Sequence, residues 1–136
     1  MKDNVKKPYG ICPASMTIWN ADQSYNKKGM EKYLRWLLDN GAQSISICGS
    51  TGENIAMNME EQREIIAHVA SFLDGEVPLI AGTGRYDTLN TIRMSQFAQE
   101  QGCDGGCPYD GGADRCIAVD ENGDEVNGDL ILYLCG

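Results

Sequence analysis

Apolar positions along the first hundred residues follow two rhythms, short continuous runs that suit buried strands and three-to-four-residue spacings that suit helices. Tyr9-Gly-Ile-Cys-Pro13 reads as a first strand, stopped by Pro13, and Ala14 to Tyr25 as a loop. Asn26 is placed to cap a helix whose apolar face holds Met30, Tyr33, Leu34, Leu37 and Leu38, and Asn40-Gly41 ends it. A second strand follows at Ser44 to Cys48. A second helix starts at Asn58, where Glu61 completes a variant capping box, and its core face is Ile65, Ile66, Val69, Ala70 and Leu73. Asp74-Gly75 closes that helix. Pro78 to Gly82 is a third strand, 83–87 a turn, and Thr88 to about Gln101 a third helix. Gly102-Cys103-Asp104-Gly105 then reads as the approach to a fourth strand. Strand and helix alternate, which implies a parallel sheet with right-handed crossovers.

The turn after the second strand carries the first candidate chemistry. Gly49-Ser-Thr-Gly-Glu53 joins two flexible glycines to hydroxyls and N–H groups at the carboxyl end of a strand, where α/β enzymes bind small anions. The same residues also make an ordinary βα turn without a ligand, and the loop alone does not separate the two readings. Gly82-Thr83-Gly84 is no dinucleotide fingerprint, because Asp87 occupies the third glycine position.

Charge changes the picture near residue 103. The net charge of −9 argues against nucleic acid or an anionic membrane as partner. Residues 1–102 hold 12 acidic and 10 basic residues, whereas 103–136 hold eight acidic residues against Arg115 alone. Glycine also thickens at Gly102, Gly105, Gly106, Gly111 and Gly112, so a boundary is expected between Cys103 and Asp110. The six cysteines form no Cys-x-x-Cys pair, and two lie in predicted buried strands, which fits reduced thiols. No apolar run approaches membrane-spanning length and the first residues lack a signal-peptide core, so a cytoplasmic location is expected.

Several segments fall in register with one family: Tyr25-Asn26, Ile47-Cys-Gly-Ser-Thr-Gly-Glu-Asn54, Glu60-Glu61, Val77-Pro-Leu-Ile-Ala-Gly-Thr-Gly84 and Gly102-Cys-Asp-Gly105. From about Val5 to Gly105 the chain resembles the amino-terminal part of the dihydrodipicolinate synthase and N-acetylneuraminate lyase family. The resemblance implies a (β/α)₈ barrel, usually tetrameric, that makes or breaks carbon–carbon bonds of pyruvate through a Schiff base on a lysine and needs no cofactor. It also implies that Ser50 and Thr51 match the pair gripping the pyruvate carboxylate. A carboxylate site needs preorganised donors and no nearby anion, so Glu53 is expected to turn away into a structural hydrogen bond.

The chain departs from the family's pattern in ways that bear on activity. A barrel of this kind takes about 250 residues, so roughly three of eight units are expected here. The Schiff-base lysine belongs to a later strand, and no lysine follows Lys32. Lys27, Lys28 and Lys32 sit at an exposed helix start, where an ordinary lysine stays protonated and is a poor nucleophile. A second tyrosine does not follow Pro108-Tyr109, leaving the family's Tyr-Tyr relay motif incomplete. We therefore expect a truncated pyruvate lyase of the 4-hydroxy-tetrahydrodipicolinate synthase type, inactive as it stands, with open strand edges that favour homo-oligomers.

The tail reads differently. Cys116 to Val119 is a predicted strand, Asn122-Gly123 a hairpin turn, and Asp129 the cap of an apolar helix through Leu134. From Tyr109 to Gly136 the chain resembles the metal-binding loop of phosphoglucosamine mutase and related phosphohexomutases, chiefly through Asp114-Arg-Cys-Ile-Ala-Val-Asp120. The resemblance implies Mg²⁺ ligation by Asp110 and Asp114, but the middle carboxylate position is Gly112, so binding is expected to be weak. The alternative function is thus a divalent-cation or phosphosugar-binding fragment. Asp120, Asn122 and Asp124 open like a calcium loop, but Glu125 and Ile131 occupy positions that require glycine and glutamate. Cys103, Cys107, Cys116 and Cys135 match no common zinc spacing, and His68, without a second histidine, reads as a packed helix residue. The whole is expected to be α/β, a partial TIM barrel over 1–105 followed by a hairpin-plus-helix tail over 106–136.

Overall fold

A computed structural model describes residues 8–107, 118–120, 122 and 124–126. The chain divides into two compact units, one of residues 6–98 and one holding the remainder.

In the first unit the elements run α1 (Lys27–Asp39), β1 (Ile45–Ile47), α2 (Met59–Leu73), β2 (Leu79–Ala81) and α3 (Thr88–Glu100). The Asn26 side chain caps α1 by accepting from the Gly29 N–H at 2.8 Å. Gly41, at φ +99°, lets the chain leave that helix in a left-handed conformation. Asn58 and Glu61 form the reciprocal capping box at the start of α2, each side chain accepting from the other's backbone N–H. Asp74 ends α2 in the left-handed region, where Asp is tolerated better than most residues. Asp87 caps α3: its carbonyl accepts from Thr91 N and its carboxylate from Asn90 N at 2.9 Å. Those Asn90 hydrogen bonds, the backbone one first, hold the Asp87 carboxyl below the ordinary carboxylate range.

β1 and β2 pair in parallel, Ile45 with Leu79, Ser46 with Ile80 and Ile47 with Ala81. The expected first strand takes a weaker form, one parallel bridge between Ala14 and Ser46. Ser46 N donates to Pro13 O and Ser15 N to Ser46 O, while Ser44 N reaches Ile11 O. The next rung would need an N–H on Pro13, which proline lacks, so the ladder stops there.

Burial follows the pleat. Ile45 and Ile47 pack with Met30 and Leu34 of α1, Ile65, Ile66, Val69 and Leu73 of α2, and Met94 of α3 in one core. Ser46 and Ile80, paired across the ladder, share the opposite face, and Ile80 remains 41 % exposed there. The helices thus cover one face of this sheet. Cys48 is buried in the core, whereas Cys12, expected in a buried strand, is exposed. No helix among the described residues is long and apolar enough to cross a membrane.

In the second unit β3 (Ala118–Val119) pairs antiparallel with β4 (Glu125–Val126). The predicted hairpin is present. Its turn is drawn in by the Asp120 carboxylate, which accepts from Asn122 N and Asp124 N at 2.9 Å each. The expected approach to a fourth parallel strand takes another form, for Gly106 exchanges both backbone hydrogen bonds with Val119 in an antiparallel bridge. Glycine permits that approach, since a Cβ on Gly105 would lie 2.8 Å from Val119 O. Asp110, Asp114 and the helix predicted from Asp129 lie outside the described residues.

Candidate functional site

The site is built where β1 and β2 end side by side. The chain leaves β1 through Cys48, a buried non-glycine residue at φ +53°, and turns through Gly49-Ser50-Thr51-Gly52 to Glu53 at φ +61°. Two left-handed non-glycine residues within six positions carry backbone strain that the surroundings must hold in place. Glu53 N donates to Ser50 O at 3.0 Å and Asn54 N to Gly49 O at 3.3 Å, closing the turn. Gly52 is buried under the first segment, where its carbonyl accepts from Thr17 Oγ1 at 2.7 Å. Gly82, at the end of β2, lies flat against the Cys48–Gly49 peptide: a Cβ there would sit 2.2 Å from Cys48 O. Only glycine allows that approach without moving backbone.

Ser50 and Thr51 are both exposed on this turn. Ser50 lines a cleft of about 290 Å³ with Asn54, Ile55, Gly84, Arg85 and Tyr86; Thr51 sits beside it on the turn. The Glu53 carboxylate does turn away, its Oε2 accepting from Trp19 Nε1 at 3.3 Å. The Glu53 carboxylate is thus engaged by the indole N–H, while Ser50 and Thr51 present their hydroxyls on the exposed turn.

The loop after β2 contributes residues that sequence reading passed over. Arg85 reaches across to the first loop, donating to Asn54 O at 2.9 Å, Gln62 Oε1 at 3.1 Å and Met57 O at 2.8 Å. Gln62 is fully buried and donates in turn to Gly82 O at 2.8 Å. Asn54 Nδ2 adds a bond to Gly84 O at 3.3 Å. Two signals were present in the sequence. Arg85 follows Gly82 and Gly84 after β2 as Ser50 follows Gly49 after β1, and Gln62 is a polar residue on the apolar stripe of α2 with Ile65, Ile66 and Val69.

The remaining candidates lie elsewhere. His68 does not line the cleft; its Nδ1 meets Tyr25 Oη at 2.8 Å and its Nε2 meets Glu31 Oε1 at 3.0 Å, with the side chain 15 % exposed. With the Tyr25 hydroxyl donating to Nδ1 and Nε2–H donating to Glu31, both contacts are satisfied and α2 is tied to the start of α1. Burial, first of several causes, pushes the Tyr25 hydroxyl above its ordinary value, consistent with that donor role. Lys27 pairs on the surface with Glu64 at 2.8 Å, and Lys28 and Lys32 are exposed on the same helix. Among the described residues no cluster of His, Cys, Asp or Glu is arranged to hold a metal ion.

Comparison with known proteins bears on the family and the fold. Residues 7–108 match the model of the Dihydrodipicolinate synthetase family. The 4-hydroxy-tetrahydrodipicolinate synthase of Clostridium perfringens is 37% identical over 95 residues, 70% of this chain and 32% of its own length. That of Methanoculleus marisnigri is 36% identical over 98 residues, 71% of this chain and 34% of its own. Among solved structures, a prophage protein of the dihydrodipicolinic acid synthase family from E. coli, in complex with pyruvate, superposes with a TM-score of 0.67 at 34% identity, covering 70% of this chain and 32% of that one. N-acetylneuraminate lyase from Mycoplasma synoviae gives 0.65 at 30% identity, covering 76% and 35%. The chain spans about a third of the length of the curated relatives it matches. The segment 109–136, with its expected phosphohexomutase likeness, lies beyond the residues matched, and none of these comparisons supports that likeness. On residues 7–108, the chain belongs to the dihydrodipicolinate synthetase family.

Proposed function

We propose that residues 8–98 form the carboxylate-binding part of a pyruvate-dependent Schiff-base lyase of the 4-hydroxy-tetrahydrodipicolinate synthase type. The observation that carries this reading is the Ser50–Thr51 turn at the carboxyl end of β1, exposed, hydroxyl-rich and cleared of Glu53. Two of the solved relatives, the E. coli prophage protein and the Acinetobacter baumannii synthase, are complexes with pyruvate. In the proposed mode the two hydroxyls donate to the pyruvate carboxylate and leave its C2 carbonyl pointing away from the turn. Schiff-base formation then requires a neutral primary amine to attack C2, after which the carbinolamine loses water. Lys27, Lys28 and Lys32 are exposed on α1, one of them ion-paired, and no lysine follows them in the 136 residues. The chain by itself therefore binds the keto acid without forming the imine.

Pyruvate titration of the ¹⁵N-labelled chain tests the binding half. The amides of residues 49–52 should shift, and Ser50→Ala or Thr51→Val should each weaken binding about tenfold or more, the loss of a hydrogen bond to a charged group. Shifts confined to other segments would remove the site. Borohydride reduction with pyruvate followed by intact mass tests the other half. No adduct is expected, and a covalent adduct would show that an amine of this chain has been recruited.

A further inference from the structure

The Arg85 side chain joins the two loops that form the site, beside the bond from Asn54 Nδ2 to Gly84 O. The Arg85 guanidinium donates through Nη1 to Asn54 O and Gln62 Oε1, and through Nη2 to Met57 O. The arginine is itself fixed at the backbone, where its N–H donates to Thr91 Oγ1 at 2.9 Å and its carbonyl accepts from that hydroxyl at 3.3 Å. Behind it, the buried Gln62 amide spans from Arg85 to Gly82 O. A closed circuit results, running from the end of β2 through α2 and the guanidinium into the loop that follows β1.

We propose that Arg85, anchored by Gln62, is a positioning residue that holds the Ser50–Thr51 turn in its carboxylate-binding form; the proposal rests on the reading of that turn given above. Three observations carry it. Asn54 O and Met57 O belong to a loop outside any helix or strand, so the guanidinium supplies donors for carbonyls that no ladder satisfies. The turn contains Cys48 and Glu53 at positive φ, and such strain persists only where neighbours over-determine it. Three of the five guanidinium N–H donors of Arg85 are committed to this scaffold, which fixes the side chain to the loop that carries the turn. The planar fork reaches acceptors on two sides at once. A lysine ammonium is a single point charge on a flexible stem and cannot span them all.

The test compares the full chain with its R85A and R85K variants by amide hydrogen exchange and by the pyruvate titration. The expected result is local. In R85A the amides of 49–57 exchange at least about tenfold faster, the loss of one charge-assisted hydrogen bond, while those of α1 keep their protection. Pyruvate affinity falls by at least a similar factor, and R85K recovers part of both. Unchanged exchange over 49–57 in R85A overturns the proposal, as does a uniform acceleration through α1, which would mark Arg85 as general scaffolding. A wild-type chain whose 49–52 amides ignore pyruvate overturns the carboxylate site itself, and that failure is read from the titration alone, whatever the exchange comparison gives.

Discussion

Cys48 combines a φ of +53° with almost complete burial, and each property has a measurable consequence. The left-handed conformation costs a residue with a Cβ about 1–2 kcal/mol. It is held here because the carbonyl it directs toward β2 meets a glycine, Gly82, and no side chain. Burial pushes the Cys48 thiol up to about 12 from an ordinary value of 9.0. The native state therefore keeps a proton that the unfolded chain releases above about pH 9. Stability is fully present below that pH and falls as pH rises toward 12, by up to on the order of 4 kcal/mol. Tyr25, raised chiefly by its own burial, tilts the alkaline limb in the same direction. Denaturant midpoints measured from pH 8 upward should decline in the wild type and decline less steeply in C48A. Equal slopes would show that folding leaves the thiol's proton affinity where it is in the unfolded chain.

At the scale of the element, α2 shows how much of this fold is locally encoded. Its start is specified by Asn58 and Glu61, whose reciprocal bonds of 2.9 and 2.8 Å satisfy two otherwise orphaned N–H groups. The N58A variant should lose about 1 kcal/mol in denaturant unfolding, and N58S should retain most of it. A null effect would mean that the site loop, which ends at Met57, fixes the helix start unaided. The capping pair, the apolar stripe of α1 and the glycine after it were all legible in the sequence, because each depends on residues within one or two turns. The first strand was legible only in part. Pro13 does not end it, for the one bridge lies beyond it at Ala14, and the same proline removes the rung that would have extended the ladder back toward Tyr9.

For the molecule as a whole, the consequential feature is that, among the described residues, the helices clothe one face of the β1–β2 sheet. Ser46 and Ile80 lie on the face opposite the helices, and β2 is bonded to β1 alone among the named strands. Exposed apolar surface such as Ile80, and a strand edge without a partner among the described residues, favour association. Light scattering on the full chain should give a mass above that of the 14.9 kDa monomer and rising with concentration, and I80K should lower it. A monodisperse monomer at all concentrations would show that the edge and face are protected. The acidic stretch after Cys103 was read from composition alone, and it says nothing about packing, because charge patterning carries no information on which surfaces meet.

By itself the sequence determined the three helices and the strands β1 and β2, where α1 and α2 are capped, and that Ser50 and Thr51 stand on a glycine-bounded turn at the end of a strand. Those properties follow from periodicity, caps and turn chemistry, which act over a few residues. Tertiary structure alone decided that Glu53 finds Trp19, that Gln62 is buried against Gly82, and that Arg85 ties the two loops together. Each of those contacts joins groups 20 to 34 positions apart. They exist only once the parallel pairing of β1 and β2 has brought two loops to one edge of the sheet, and no local pattern encodes that distance.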